Sequence, residues 1–247
     1  MGINADHISK IWRNGGYYEK RDMPLFDGKY SRNMTAMIRL ENKHPGSSAA
    51  LYNRFGIRHF RRYDHELLAK QFDNIDRDEP YGLIISAHAD HNGTFSQYYQ
   101  ERELSKLFEH MPQSMLLRVA EVGNKRELAA LIYRLRRFYP KHWPEFVIAA
   151  GHGNWNSIRV GSGESQVNSL TLWDIKDTRA SAFLEFLKHS SSVILNSCLT
   201  GRAYGLAQTL SEKIPGRVIA NSETISHAHF QVYNTQISGI YIDASFD

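Results

Sequence analysis

The sequence predicts an α/β fold, with a mostly parallel central sheet and helices on both of its faces. Two observations carry this reading. Short runs that are apolar at every position recur along the chain, as strands buried on both faces require. Between them lie longer segments with apolar residues every three or four positions, so strands alternate with amphipathic helices. The 247 residues are 42% hydrophobic and 12% aromatic, which supplies a real core and excludes a chain disordered throughout.

Residues 1–60 read as an irregular N-terminal lead-in or pro-segment. Gly15-Gly16, a tyrosine-rich stretch and Pro45-Gly46 break the pattern, and Met37-Ile38-Arg39-Leu40 is a short apolar run read as a strand. Residues 61–247 read as the main domain. Leu67, Leu68 and Phe72 share one side of a helix over 65–75, and Tyr81 to Ala87 is a buried strand. A helix over 101–110 follows. Met115 to Val119 is a strand, and Asn124 caps an amphipathic helix that runs to Phe138. Phe146 to Ala150 is the next buried strand. Ser157–Val160 and Ser169–Trp173, split by a Gly/Ser-rich stretch, form a β-hairpin flap. A helix over 178–188, a strand at Val193-Ile194-Leu195, a helix over 204–213, a strand at Arg217 to Ala220 and a last strand at Ile237 to Ile242 complete the chain.

Charge is unevenly spread within a net of +4. Residues 1–142 hold 23 basic and 17 acidic side chains, residues 143–247 hold 7 and 9. Arg54, Arg58, Arg61 and Arg62 form one basic group, Arg134, Arg136, Arg137 and Lys141 another. They suit either an anionic partner or a solvated helix face. The mildly acidic second part argues against nucleic acid at a site built there and leaves room for a basic peptide. No apolar run approaches the ~18 residues that span a bilayer. The first residues lack the pattern of a secretory signal. No membrane partner is expected.

The chain has one cysteine, Cys198, so neither an internal disulfide nor a cysteine-rich zinc site can form. Cys198 is then either a buried small hydrophobe or a nucleophile. His152 and Cys198 each follow an apolar strand, 46 residues apart, with Gly151, Gly153 and Gly201 around them. In parallel sheets ligand sites lie beyond the carboxyl ends of the strands. A thiolate nucleophile there needs a nearby His to lower its pKa or deliver a proton. Gly153 lets a backbone N–H approach an oxyanion, and the Cys198 N–H supplies a second donor.

The order strand-His152-Gly153, then strand-Ser197-Cys198-Leu199-Thr200-Gly201, resembles the caspase-like cysteine peptidases. These include caspases, legumain, gingipains, separase, self-cleaving toxin domains and CHAT domains. Asn196 to Gly201 is not the caspase pentapeptide and is nearer the CHAT style. The Ser157-Ile158-Arg159-Val160, Leu170-Thr171-Leu172-Trp173-Asp174-Ile175, Gly205-Leu206-Ala207 and Val218-Ile219-Ala220 segments follow the CHAT order. The likeness covers about residues 80–247. It implies a three-layer caspase-like sandwich and an endopeptidase with a His152/Cys198 dyad, Gly153 and Cys198 supplying the oxyanion donors. It calls for no third catalytic side chain and no cofactor. The partner is a protein or peptide substrate, with room for an activating partner or an anionic activator. A catalytic thiol favours a reducing compartment, cytoplasmic or reached as a translocated effector.

In this family the residues after the first core strand line the pocket for the side chain before the scissile bond. Here these are His88-Ala89-Asp90-His91. The resemblance makes Asp90 a receptor for Arg or Lys, beside His88; Asp90 as a simple turn cap is the alternative. Glu223, next to Ser222 after the Val218-Ile219-Ala220 strand, is a second candidate carboxylate.

Two other readings stay open. His88-x-Asp90-His91-x-Gly93 also resembles the His-x-His-x-Asp-His metal motif of the metallo-β-lactamase fold, with His152 as a later ligand. Against it, Ser86 stands where the first His belongs, and no bridging Asp or final His follows at suitable spacing. The third reading is an inactive peptidase-like interaction module.

Overall fold

A computed structural model describes residues 29–88, 107, 109–161, 166–177, 181–225, 228–235 and 239–246. The chain opens with two helices, α1 (Lys29–Lys43) and α2 (Ser47–Phe55). This corrects the irregular reading of that stretch and the strand expected at Met37–Leu40. Asn33, Met37, Leu40 and Glu41 form the buried face of α1, and two of the four are polar. The helical period is therefore masked in a purely hydrophobic reading. The Glu41 carboxylate accepts the Gly46 and Ser48 N–H groups, so it folds the α1–α2 turn back on itself. Helix α2 ends at Gly56, at φ 74°. A Cβ there would also lie 2.4 Å from the Glu121 carbonyl oxygen, so only glycine fits.

A 3₁₀ turn at Phe60–Arg62 leads to α3 (His65–Asp73), capped by Asp64. Strand β1 (Tyr81–Ala87) is buried at all seven positions, so helices or loops cover both of its faces. Strand β2 (Leu116–Val122) follows, then α4 (Lys125–Phe138) with Asn124 as its N-cap, then β3 (Pro144–Ala150). Three short strands make the flap: β4 (His152–Asn154), β5 (Ser157–Arg159) and β6 (Ser169–Thr171). Helix α5 (Leu172–Lys176) begins where the sequence reading extended a strand through Trp173. Thr171 and Asp174 form a capping box there, which stops the strand and starts the helix. Helix α6 (Ser181–Leu187), strand β7 (Ser192–Asn196), helix α7 (Leu206–Ser211) and strand β8 (Arg217–Ala220) complete the layered core. The chain closes with an antiparallel pair, β9 (Ala228–Thr235) and β10 (Gly239–Phe246).

The central sheet has the order β2-β1-β3-β7-β8, and every pairing in it is parallel. The α/β sandwich expected from the apolar runs is therefore present, with its flap. One apolar core joins Met37, Leu51 and Phe55 of the first two helices to Ile84, Val119, Ile148, Ile194 and Ile242. Residues 29–60 thus pack with the sheet rather than leading into it. The strand order reverses between β1 and β3, which opens the crevice where ligands bind in sheets of this kind. Among the described residues no helix is long and apolar enough to cross a membrane.

Candidate active site

β3 and β7 are neighbours, and their last paired residues are Ala150 and Asn196. Parallel strands stand about 4.8 Å apart, so the chains leave the sheet side by side. The Gly151 N–H continues the ladder to the Asn196 carbonyl at 3.3 Å. His152 and Cys198 are each the second residue past that last pair. His152 opens β4 and pairs with Arg159 across the flap. Cys198 opens the turn that leads to α7, and both residues are half-buried.

Gly153 sits against the cysteine turn. A Cβ there would fall 1.9 Å from Ser197 Oγ, 2.9 Å from the Ser157 carbonyl oxygen and 3.2 Å from the Cys198 carbonyl oxygen. The backbone of β4 therefore touches the cysteine turn, and glycine is what allows it. Leu199 holds a left-handed φ of 63°, a strained position for a branched side chain. The turn is held from outside: the Leu199 N–H donates to the Glu223 carbonyl at 2.8 Å, and the Gly201 N–H to the Asn221 carbonyl at 2.7 Å. The Ile225 N–H points at Cys198 Sγ at 3.4 Å. Among the described residues, the Cys198 N–H donates to no acceptor.

The sequence-predicted residues distribute as follows. His152, Gly153 and Cys198 come together at the ends of β3 and β7. Ser222 and Glu223 lie on the loop that clasps the cysteine turn, and their side chains are exposed. Asp90 and His91 lie outside the described residues. His88 closes β1, and its N–H reaches the carbonyls of both Val122 and Val160. Its ring is 8% exposed, so it sits inside a polar cluster and not on an open pocket wall.

That cluster was missed from the sequence. Its centre is Glu121, 1% exposed, on β2. The carboxylate accepts the Arg58 N–H at 2.8 Å and the Tyr63 hydroxyl at 3.0 Å, and meets His59 Nδ1 at 3.2 Å. The His59 and His88 rings lie 4.7 Å apart. Burial pushes the His88 imidazole down to about 3, helped by its neighbour His59, so the ring is neutral at ordinary pH. Burial likewise lowers His59, against the pull of Glu121. Burial would raise the Glu121 carboxyl, but His59 and Arg62 outweigh it and hold it below the usual carboxylate range. The signal available in the sequence was an acid inside the apolar strand Leu116–Val122. A carboxylate in a fully buried strand needs partners.

Neither a scan against protein-family models nor a search of curated proteins returns a match to this chain. The case for function rests on the residues themselves.

Proposed function

We propose that the chain is a caspase-like cysteine endopeptidase that works with a His152/Cys198 dyad. One observation carries the reading: a histidine and the chain's single cysteine leave two adjacent parallel strands at the same step, with a sterically required glycine between them. This position is at strand carboxyl ends, the edge on which such sheets bind ligands, on the strand pair next to the β1/β3 crevice.

In the proposed reaction the Cys198 thiolate attacks the scissile carbonyl carbon, and the carbonyl electron pair moves to oxygen. The N–H groups of Cys198 and Gly153 receive the oxyanion. Collapse breaks the C–N bond, and protonated His152 gives its proton to the leaving amine. His152 then takes a proton from water, which attacks the thioester and releases the carboxylic acid and the thiolate. Asp90 suits a basic side chain before the scissile bond, with Glu223, exposed on the loop that clasps the cysteine turn, as the second carboxylate.

Labelling with a thiol-directed electrophile, combined with a fluorogenic peptide panel, tests this. The expected result is a label on Cys198, cleavage after Arg or Lys, and a loss of at least about 1,000-fold in Cys198→Ala and His152→Ala. Cleavage that survives in Cys198→Ala, or an unlabelled Cys198 with no activity on any peptide, sinks the proposal. Cleavage only after Asp or Asn overturns the basic preference alone.

A further inference from the structure

The His59–His88–Glu121 cluster has no part in the dyad, and its geometry is that of a ligand set. We propose that it is a zinc site, with the two imidazoles and the carboxylate as ligands and water completing the coordination. One donor atom from each of the three residues lies within 4.8 Å of the others. Donors around a tetrahedral Zn²⁺ stand about 3.3 Å apart, so each closes in by under about 1 Å through side-chain rotation. His59 Nδ1 and Glu121 Oε2 are already at 3.2 Å.

Two features separate this cluster from an ordinary buried ion pair. Among the described residues, His88 Nδ1 is buried and takes no hydrogen bond, although buried ring nitrogens are normally satisfied. Nothing in the dyad reading uses it. The donor set is also mixed, two nitrogens and one carboxylate oxygen, which suits Zn²⁺ and not Mg²⁺ or Ca²⁺. The ion takes the place of the proton between His59 Nδ1 and Glu121, and the neutral imidazole carries that proton on Nε2 instead. Glu121 keeps its bonds from the Arg58 N–H and the Tyr63 hydroxyl, which fix the ligand as an outer shell does.

Among the described residues, Arg58 and Arg62 flank the site, and both are committed elsewhere. Arg58 pairs with Glu127 at 2.8 Å, and Arg62 donates to the carbonyls of Ala87 and His88. Their charge opposes a dication and keeps the affinity below that of all-thiolate structural sites. The site joins the 58–63 segment to the ends of β1 and β2. Its occupancy therefore stiffens one wall of the crevice without touching Cys198.

The test uses the Cys198→Ser chain, which removes thiolate binding at the dyad and so makes the result independent of the peptidase reading. After chelator treatment, titration with Zn²⁺ against a chromophoric indicator is expected to give one ion per chain. His59→Gln and His88→Gln, each in that background, are expected to weaken binding by about 100-fold or more. Nitrogen-detected imidazole NMR of the Cys198→Ser chain is the second readout, with the His59 and His88 rings expected to shift on Zn²⁺ addition. No binding at 100 µM, binding unchanged in both glutamine variants, or shifts confined to other histidines would each overturn the site.

Discussion

His152 and Cys198 stand at equivalent steps beyond the last hydrogen-bonded pair of two neighbouring parallel strands, Ala150 and Asn196. The pairing of the two strands sets that relationship. The first prediction tests the glycine that lets the two chains touch. Gly153→Ala would drive a methyl to 1.9 Å from Ser197 Oγ and push β4 away from the cysteine turn. A displacement of about 1 Å costs roughly 100-fold in a positioned reaction, so under the proposed peptidase reading kcat/KM on the best peptide is expected to fall by about that factor. Adding Ser197→Ala removes the worst contact and should restore part of the loss. Two independent, additive effects in the double mutant would refute the steric account.

The second prediction concerns backbone strain. Tyr204 holds φ 60° with its side chain 80% exposed. Its N–H donates to Gln208 Oε1 at 2.8 Å, a bond that any residue keeps. A left-handed non-glycine residue costs roughly 1–2 kcal/mol, part of which glycine returns through its freer unfolded chain. Tyr204→Gly is therefore expected to stabilise by about 0.5–1 kcal/mol, raising Tm by ~2–3 °C. A lower Tm in calorimetry would mean that the aromatic ring contributes packing that its exposure hides.

Much of the sheet was legible because most of its strand positions are buried and carry short apolar runs. Tyr81 to Ala87 and Val193 to Leu195 could hardly be anything else, and the Asn124 cap announced α4. What escaped were elements whose buried positions are polar or whose length is minimal. Asn33 and Glu41 disguise α1. His152-Gly153-Asn154 is three residues with no hydrophobic pattern, so β4 was invisible. β9 was readable in principle, since Ala228 and Phe230 are buried while His229 and Gln231 are exposed. At the site, His152, Gly153 and Cys198 could be named because they follow strands. The cluster around Glu121 could not, because it joins a turn at 58–63 to strands some 25 and 60 residues away, and only folding brings these together.

The third prediction concerns that cluster's role in stability. Glu121 accepts from the Arg58 N–H, the His59 N–H and the Tyr63 hydroxyl, all largely shielded from water. Glu121→Ala leaves three donors without an acceptor, at roughly 1–3 kcal/mol each. The expected cost is more than about 3 kcal/mol in urea unfolding, with faster amide exchange at Arg58 and His59. Glu121→Gln keeps an acceptor and should cost less. A loss below about 1 kcal/mol in Glu121→Ala would show that water replaces the carboxylate.

The last prediction links the flap to pH. The Asp174 carboxylate meets Lys125 Nζ at 2.9 and 3.1 Å, and accepts the Thr171 N–H at 2.9 Å and its hydroxyl at 2.8 Å. It thereby ties the start of α5, and β6 before it, to the first turn of α4. Burial pushes its carboxyl up, but the bonds from Lys125 and Thr171 outweigh this and leave it below the ordinary 3.8. With the folded value lower than the unfolded one, the unfolded chain takes up the proton first. The stabilisation is therefore present above 3.8 and is lost as pH falls through the folded value. Asp174→Asn is expected to cost about 1–3 kcal/mol at pH 7. That gap narrows in urea titrations once the pH drops below 3.8, because the wild type loses the same charge. β6 pairs with β5, and β5 with the strand that carries His152, so the variant should also lower the proposed peptidase activity at pH 7. A cost that is constant from pH 7 to pH 3 would assign Asp174 a role through shape and not through charge.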